Sequence, residues 1–317
     1  ALAGQLGFNV EQVQRAASLC KCDLVTSMVF EFPDLQGIMG RYYALHDGED
    51  EAVARALDEQ YQPRFAGDTL PASGTGQLLA IAERLDTLVG IFAIGQTPTG
   101  DKDPFGLRRS ALGLLRILIE KQLDLDLRAC IDTAANNFPA ELDAARIADP
   151  LFSFMMDRLR AWYLDAGYDV HVFEAVLARQ PQRPLDVDQR MRAVSTFRAL
   201  PEADSLAAAN KRIRNILRKA GTAIPASYDT KLLQEPAEKA LAAALQALDT
   251  QTRPLFEQRD YTNALCLLAA LQTPVDAFFD DVMVMADEVA LRDNRLALLQ
   301  ALSELFLQVA DISLLQG

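Results

Sequence analysis

Apolar residues recur at intervals of three and four positions along nearly the whole chain, and runs that alternate apolar with polar residues are scarce. This spacing is typical of helices, because residues three and four apart share one helix face. The last long stretch has apolar residues in helical register at Leu291, Leu298, Leu302, Leu305, Val309 and Ile312. The pattern predicts an all-α protein with no sheet scaffold.

Proline and glycine clusters break the helical pattern at four places. They lie at 63–76, 95–106, 179–184 and 221–225. A chain of 317 residues is long enough for two domains, each with its own core. We expect a helical domain over 1–125, a helical connector over 126–195 and a C-terminal helical bundle over 196–317.

The composition excludes some classes of protein. No run of about 18 apolar residues is present, so we expect no membrane span. The four cysteines are Cys20, Cys22, Cys130 and Cys266, and the C-x-C spacing of the first two is not that of a zinc knuckle. We therefore expect reduced, mostly buried thiols in a cytoplasmic protein. Because the chain opens at Ala1 in helix-like sequence, without Met, we also expect a fragment of a longer chain.

The net charge of −13 would repel nucleic acid unless the cations were concentrated locally. Such a concentration occurs in the segment LAAANKRIRNILRKA, residues 206–220, whose five cations are uninterrupted by acids. They are Lys211, Arg212, Arg214, Arg218 and Lys219. Over residues 183–219 the sequence has nine Lys or Arg against four Asp or Glu, a local balance of +5. The pattern indicates an RNA-binding helix docked by an apolar stripe, and the alternative is a merely solvated face.

Several long segments identify a family. DLVTSMVFEFPDLQGIMGRYY, GEDEAVARALDEQYQPRFAGDTLP, IAERLDTLVGIF and DKDPFGLRRSALG resemble, in order, the C-terminal half of the β subunit of bacterial two-subunit glycyl-tRNA synthetase. The C-terminal segment containing ALRDNRLALL resembles the DALR anticodon-binding domain, and this resemblance adds Arg292 and Arg295 to the candidate tRNA-binding residues. Tyr261, Phe278 and Phe279 are candidates for base stacking, although we favour a core position for both phenylalanines.

The resemblance also relates the N-terminal domain to HD-type metal-dependent phosphohydrolases. In this chain Cys22 precedes Asp23 where the family motif has histidine, Gln60 occupies a further histidine position, and Asp86 is the last plausible ligand. An HD site needs several imidazoles and carboxylates on one metal. We therefore expect a catalytically disarmed HD-like domain with no metal, in which the two aspartates cap helices or pair with Arg or Lys. His46, in LHDGED, is expected to be an exposed loop histidine.

The segment GDKDPFGLRRSALG contributes a second candidate RNA contact. Lys102, Arg108 and Arg109 lie where a loop enters a helix, and a helix N-terminus beside two arginines can hold a phosphate. The alternative is that Asp103 caps the helix and that Arg108 pairs with a carboxylate across a domain interface.

The family resemblance implies a non-catalytic, tRNA-binding part of glycine–tRNA ligase. The implied partners are tRNA-Gly and a catalytic α subunit, in an α2β2 assembly with no membrane and no DNA. ATP and Mg²⁺ would be used by that α subunit, so we expect no cofactor here. Two alternatives stay open, a working HD-type phosphohydrolase and a helical protein-binding adaptor.

Overall fold

The computed structural model describes residues 2–139, 142, 144–220 and 224–316. The all-α prediction is confirmed. The described residues form sixteen α-helices, and their one β pairing is an isolated bridge between Thr99 and Lys102. The helices are α1 (Leu2–Leu6), α2 (Val10–Leu19), α3 (Ser27–Glu31), α4 (Ile38–His46), α5 (Glu51–Glu59), α6 (Gly74–Ala93), α7 (Leu107–Glu120), α8 (Leu127–Ala135), α9 (Ala148–Asp165), α10 (Val170–Leu177), α11 (Pro184–Arg198), α12 (Ala203–Lys219), α13 (Pro236–Glu257), α14 (Tyr261–Leu268), α15 (Gln272–Asp281) and α16 (Val289–Leu307). None of these helices combines the length and apolarity needed to cross a bilayer.

Polar caps explain why many helices begin where they do. A side-chain oxygen just before the helix accepts a hydrogen bond from a first-turn N–H, which satisfies a backbone donor that has no partner within the helix. The residues that do this are Asn9, Thr26, Asp50, Ser73, Asp126, Asp169 and Asp260. Three predicted breaks coincide with the connections 60–73, 94–106 and 178–183. The fourth, 221–225, falls mostly outside the described residues.

The start of α6 has a second, buried cap. Besides Ser73, the carboxylate of Glu59 accepts hydrogen bonds from the N–H groups of Ala72 and Ser73 and from the Ser73 hydroxyl. Glu59 is 6% exposed, so its charge is satisfied almost entirely by these donors. Gly76 lies directly against it, and a Cβ at position 76 would collide with a Glu59 carboxylate oxygen.

The chain divides into two compact units. Unit 1 contains residues 1–162 and 183–185, and unit 2 contains residues 163–182 and 186–317. The segment 126–195, predicted to be a separate connector, is therefore shared between the two units. One reason is that α8 packs against α6 within unit 1, whereas α10 packs against Ile312–Leu314 within unit 2. The remaining predicted boundaries stay predictions.

In unit 1, α6 is the central helix. It packs against α2, α5, α7 and α8, and α4 packs on α5. The apolar residues of α6 surround the helix, so it is buried on several sides, and Leu78, Ile81, Leu88 and Val89 are almost fully inaccessible. At its C-terminal end the Phe92 ring meets Phe154 at 5.2 Å between centroids.

In unit 2, α12 packs against α15, α16 and the turn Ile312–Leu314, and α13 packs against α14, α15 and α16. The apolar run predicted at the C-terminus is only partly helical. Helix α16 ends at Leu307, Val309 lies beyond it, and Ile312 begins the short 3-10 helix Ile312–Leu314. Both Val309 and Ile312 are buried.

An ion pair lies inside the core of unit 2. The guanidinium of Arg295, on α16, binds the carboxylate of Glu238, on α13, and these residues are 4% and 0% exposed. The other Glu238 oxygen accepts from the N–H groups of Gln234 (2.7 Å) and Glu235 (2.9 Å), and Arg295 Nη1 donates to Met283 O at 2.7 Å. Burial raises the pKa of Glu238, but the bonds from Arg295 and the two N–H groups outweigh it and hold that pKa below its usual value.

We expect Glu238→Gln or Arg295→Met to lower the free energy of unfolding by about 3–5 kcal/mol, because each change leaves the other charge buried without its partner. Urea unfolding at neutral pH measures this. Because folding lowers the pKa of Glu238, the ionised carboxylate stabilises the folded state fully at pH values above the ordinary glutamate pKa. This stabilisation is lost as the pH falls through the pKa that Glu238 has in the folded state.

Arg253→Ala is the control, since its pair with Asp249 is exposed and should matter by less than about 1 kcal/mol. The double variant Glu238→Leu, Arg295→Met should recover part of the loss. Single variants as stable as the wild type would contradict the assignment of this pair as a core anchor.

Candidate nucleic-acid interface

The predicted basic helix is α12, and its docking by an apolar stripe is confirmed. Leu206 and Ile213 are buried, while Leu217 and Ala220 are half-buried. All five cations are exposed on the opposite side. We call these residues the basic surface: Lys211, Arg212, Arg214, Arg218 and Lys219.

The members of the basic surface differ in how firmly they are held. Arg214 Nη1 pairs with Asp311 Oδ2 at 2.7 Å and also reaches Ser313 Oγ at 3.3 Å. Lys211 Nζ makes a 3.3 Å contact to Gln316 O, and Arg218 donates to Asn215 on its own helix. Lys219 has no partner among the described residues. Arg214 therefore has a structural role, whereas Lys211, Arg218 and Lys219 remain available to a ligand.

The positive charge of the segment 183–219 is confined to a smaller part of the structure than the count of +5 in the sequence indicates. The arginines of α11 are neutralised by aspartates of unit 2. The pairs are Arg190 with Asp186, Arg192 with Asp188 and Arg198 with Asp169, at 2.8, 2.8 and 2.5 Å. The uncompensated positive charge is thus concentrated at the C-terminal half of α12.

Two residues predicted from the DALR resemblance do not share the exposure of the basic surface. Arg292 is half-buried, with its Nε 3.7 Å from Asp293 Oδ1. Arg295 is buried against Glu238, so its prediction as a tRNA contact is wrong. The sequence placed both on one helix, but α16 is covered on nearly all sides, and Arg295 faces the core.

The three stacking candidates also differ. Tyr261 is 5% exposed, its hydroxyl donates to Asp186 Oδ1 at 2.7 Å and accepts from Arg190 Nη2 at 2.9 Å, and it is therefore not a stacking surface. Burial, and then the bond to Asp186, raises the pKa of Tyr261 to about 12. Phe278 is fully buried, as expected, whereas Phe279 is half-buried and carries Arg212 over its ring.

The start of α7 is already occupied by an anion. Asp103 accepts hydrogen bonds from the N–H groups of Leu107 (2.8 Å) and Arg108 (2.9 Å), so it caps the helix. A phosphate would have to compete with this carboxylate. Arg108 donates to Gly100 O in the same loop and not to a carboxylate across an interface. Lys102 and Arg109 are the exposed cations here.

A cavity of about 620 Å³ in unit 1 brings this loop beside the HD-like segments. Phe105 and Arg109 line it together with Gln60, Tyr61 and Arg84. The guanidinium of Arg84 donates to the carbonyls of Ala80, Gln60, Tyr61 and Pro63. Burial lowers its pKa to about 10. Arg84 thus ties the chain at 60–63 to α6.

The four positions predicted to be vestigial HD-like ligands differ in burial and do not share one site: Cys22, Asp23, Gln60 and Asp86. Asp23 is buried, and its Oδ2 accepts from Gly37 N at 2.6 Å, at the start of α4, so the expected capping role is found. Gln60 is buried and donates to Cys20 O and Leu57 O. Cys22 and Asp86 are exposed. The pKa of Asp86 is raised above its usual value, first by partial desolvation of its carboxyl group and second by the nearby negative charge of Glu83. Asp23 and Cys22 line a cavity of about 350 Å³, and Gln60 lines the larger one.

The described residues contain no group of three or more His, Cys, Asp or Glu arranged as metal ligands. His46 is exposed as expected, but it is the last residue of α4 and not part of a loop. The cysteines are free, and only Cys130 is buried, so the expectation of mostly buried thiols is wrong. Burial raises the pKa of Cys130 to about 11.

Sequence reasoning missed two residues at these sites, Asp311, which holds Arg214, and Arg84. It also missed the contact between Phe279 and Arg212. No local pattern marks these contacts, because the partners are far apart in the chain. A buried arginine in AERLDT could have been suspected only from the apolar residues that surround it.

The fold defines an all-α protein whose described residues form two helical units, the second of them a bundle with a localised basic helix. Comparison with known families agrees with both parts. The family model described as "Glycyl-tRNA synthetase beta subunit" matches residues 1–178, and that of the "DALR anticodon binding domain" matches residues 206–312. The chain belongs to the glycyl-tRNA synthetase β-subunit family.

Curated relatives give the same result. The chain is 56% identical over 315 residues to the glycine–tRNA ligase beta subunit of Aliivibrio fischeri (strain ES114) and 55% identical to that of Pectobacterium carotovorum. The corresponding protein of Salmonella schwarzengrund is 56% identical. Each match covers 99% of this chain and 46% of the relative, so the chain spans about half the length of the relatives it matches.

We expect the purified chain to carry no stoichiometric transition metal and to hydrolyse no nucleotide. Substitution of the two aspartates should change the free energy of unfolding by different amounts. Asp23→Asn should lower the free energy of unfolding by about 1–3 kcal/mol, because Gly37 N–H loses an ionised acceptor. Asp86→Asn, at the exposed position, should stay within about 0.5 kcal/mol of the wild type. Elemental analysis and urea unfolding measure these, and about one zinc, iron or manganese per chain, lost in Asp23→Asn, would contradict the disarmed site.

Proposed function

We propose that this chain is a tRNA-holding part of glycine–tRNA ligase that positions tRNA-Gly while a separate α subunit makes the ester bond. The observation that supports this best is the basic surface on α12, exposed on a chain of net charge −13. A protein that gains affinity by neutralising phosphates needs such cations free of carboxylates. Within the part of the chain that the structure describes, Lys211, Arg218 and Lys219 meet that condition.

The division of labour follows from the chemistry of aminoacylation. That reaction needs an activated glycyl adenylate and a site that stabilises charge at the transferring carbonyl. The candidate site here offers exposed cations on a rigid helix, which can orient an RNA, and orientation alone accelerates a reaction performed elsewhere. We assign ATP, Mg²⁺ and glycine to the α subunit, in an α2β2 enzyme of the cytoplasm. The name beta subunit, carried by the relatives, is consistent with a second kind of chain.

We expect the triple variant Lys211→Gln, Arg218→Gln, Lys219→Gln to bind tRNA-Gly more weakly and with a flatter salt dependence. Each lost phosphate contact should reduce the slope of log affinity against log salt by about 0.7–0.9, so the triple change should reduce it by about two to three. Filter binding or fluorescence anisotropy between 50 and 200 mM salt, roughly the range over which such contacts show, measures this. Arg214 is left intact because its pair with Asp311 is structural.

The matched control is Lys231→Gln, Lys239→Gln, Arg253→Gln, which removes the same charge from other exposed positions of unit 2. It should leave the slope nearly unchanged. Equal losses in both triple variants would show that only overall charge matters, and the basic surface would then be a solvated face.

The second test concerns catalysis. We expect the chain alone to give no ATP–pyrophosphate exchange with glycine and no glycyl-tRNA. In an intact β subunit mixed with α, deleting 196–317 should reduce use of tRNA much more than it reduces exchange, because adenylate formation needs no tRNA contact. Exchange catalysed by the chain alone, or exchange abolished by the deletion while tRNA binding survives, would be incompatible with this division.

A further inference from the structure

Arg212 differs from the other cations of the basic surface in what lies beneath it. Its guanidinium carbon is 4.1 Å from the centroid of the Phe279 ring, which projects from α15. Phe279 is in turn packed edge-on against Phe278, with 5.6 Å between centroids and 80° between ring planes. Because Phe278 is fully buried, this stack continues from the core of unit 2 to its surface.

Arg212 is exposed and has no carboxylate partner among the described residues. Arg214, two positions on, is held by Asp311 in contrast. A planar cation resting on an aromatic ring leaves its outer side open to another flat group, and arginine planes are surfaces on which unpaired RNA bases stack. The contact with Phe279 restricts the side chain before any ligand arrives, which reduces the entropy lost on binding.

The charges nearby favour a base over a phosphate at this point. Asp280 and Asp281 directly follow Phe279 and are both exposed, so the end of α15 is acidic. Acids there disfavour a phosphate, whereas a base carries no net charge. The phosphates of the same strand can instead be neutralised by Lys211, Arg218 and Lys219.

We propose that Arg212, held against Phe279, is the platform on which one unpaired base of the bound RNA stacks. This inference rests on the proposed function and deepens it, because it selects RNA with an unpaired loop over a continuous duplex. It also separates two roles on one helix: Arg212 binds the face of a base, and its neighbours bind the backbone.

The test is the Arg212→Lys variant of the full chain, which keeps the positive charge but replaces the planar guanidinium group by an ammonium group. The probes are an RNA hairpin with the anticodon stem and loop of tRNA-Gly, carrying 2-aminopurine at successive loop positions, and a blunt duplex with the stem sequence. We expect hairpin binding to weaken about tenfold, since stacking of a base on such a side chain has an effect of this order, with an unchanged salt slope and unchanged duplex binding. The 2-aminopurine signal that changes on binding to the wild type should be lost.

Arg253→Lys is the matched control, because it makes the same exchange at an exposed guanidinium of unit 2 that lies outside the basic surface and pairs with Asp249. It should bind both RNAs as the wild type does. Phe279→Leu should reproduce the Arg212→Lys defect, with its unfolding curve confirming that the bundle is intact.

Hairpin binding unchanged in Arg212→Lys, or an equal loss for hairpin and duplex, would overturn this inference while leaving the proposed function in place. A wild-type chain that binds neither RNA in a salt-dependent way would overturn both.

Discussion

In unit 2, aspartate side chains hold arginines along α11, and this pairing decides what the surface can do. The pair of Arg190 with Asp186 is largely buried, whereas Arg192 and Arg198 are more exposed, and pairs that solvent screens contribute little to stability. Together, however, the pairs of Arg190, Arg192 and Arg198 neutralise what would otherwise be a broad positive region. Among the described residues of unit 2, aspartates therefore pair with these arginines of α11 but not with Lys211, Arg218 and Lys219, which leaves a cluster of unpaired cations in the C-terminal half of α12 as the candidate RNA site.

Buried arginines serve the fold by two different chemistries. Arg84 is surrounded by carbonyl oxygens, and burial lowers its pKa to about 10 although the neighbouring Glu83 carboxylate acts in the opposite direction. Arg295 instead binds Glu238, whose second oxygen accepts backbone N–H groups. In unit 1 the segment 60–63 is thus held by hydrogen bonds from Arg84 to main-chain carbonyls. Asp23 likewise binds the main chain at the start of α4. The contacts of Asp23 and Gln60 thus serve the fold.

The sequence allowed prediction of those features that are determined by residues close together in the chain. The helical period, the breaks near 63–76 and 95–106, the cap by Asp103 and the exposed flank of α12 all follow from local spacing. The burial of Arg295 and Tyr261 could not be predicted, because their partners are 57 and 75 residues away. In α16 the residues from Leu296 to Leu299 are all buried, so no apolar stripe separates an inner from an outer face.

The buried cap at the start of α6 has a consequence for how this protein can change over generations. Glu59 occupies the space that any side chain at position 76 would need, and it binds Ser73 at the same time. Replacing Gly76 while Glu59 remains produces a collision, and replacing Glu59 first leaves backbone donors in the interior without an acceptor. A lineage can therefore leave this arrangement only through a less stable intermediate, so we expect positions 59, 73 and 76 to be inherited as a set.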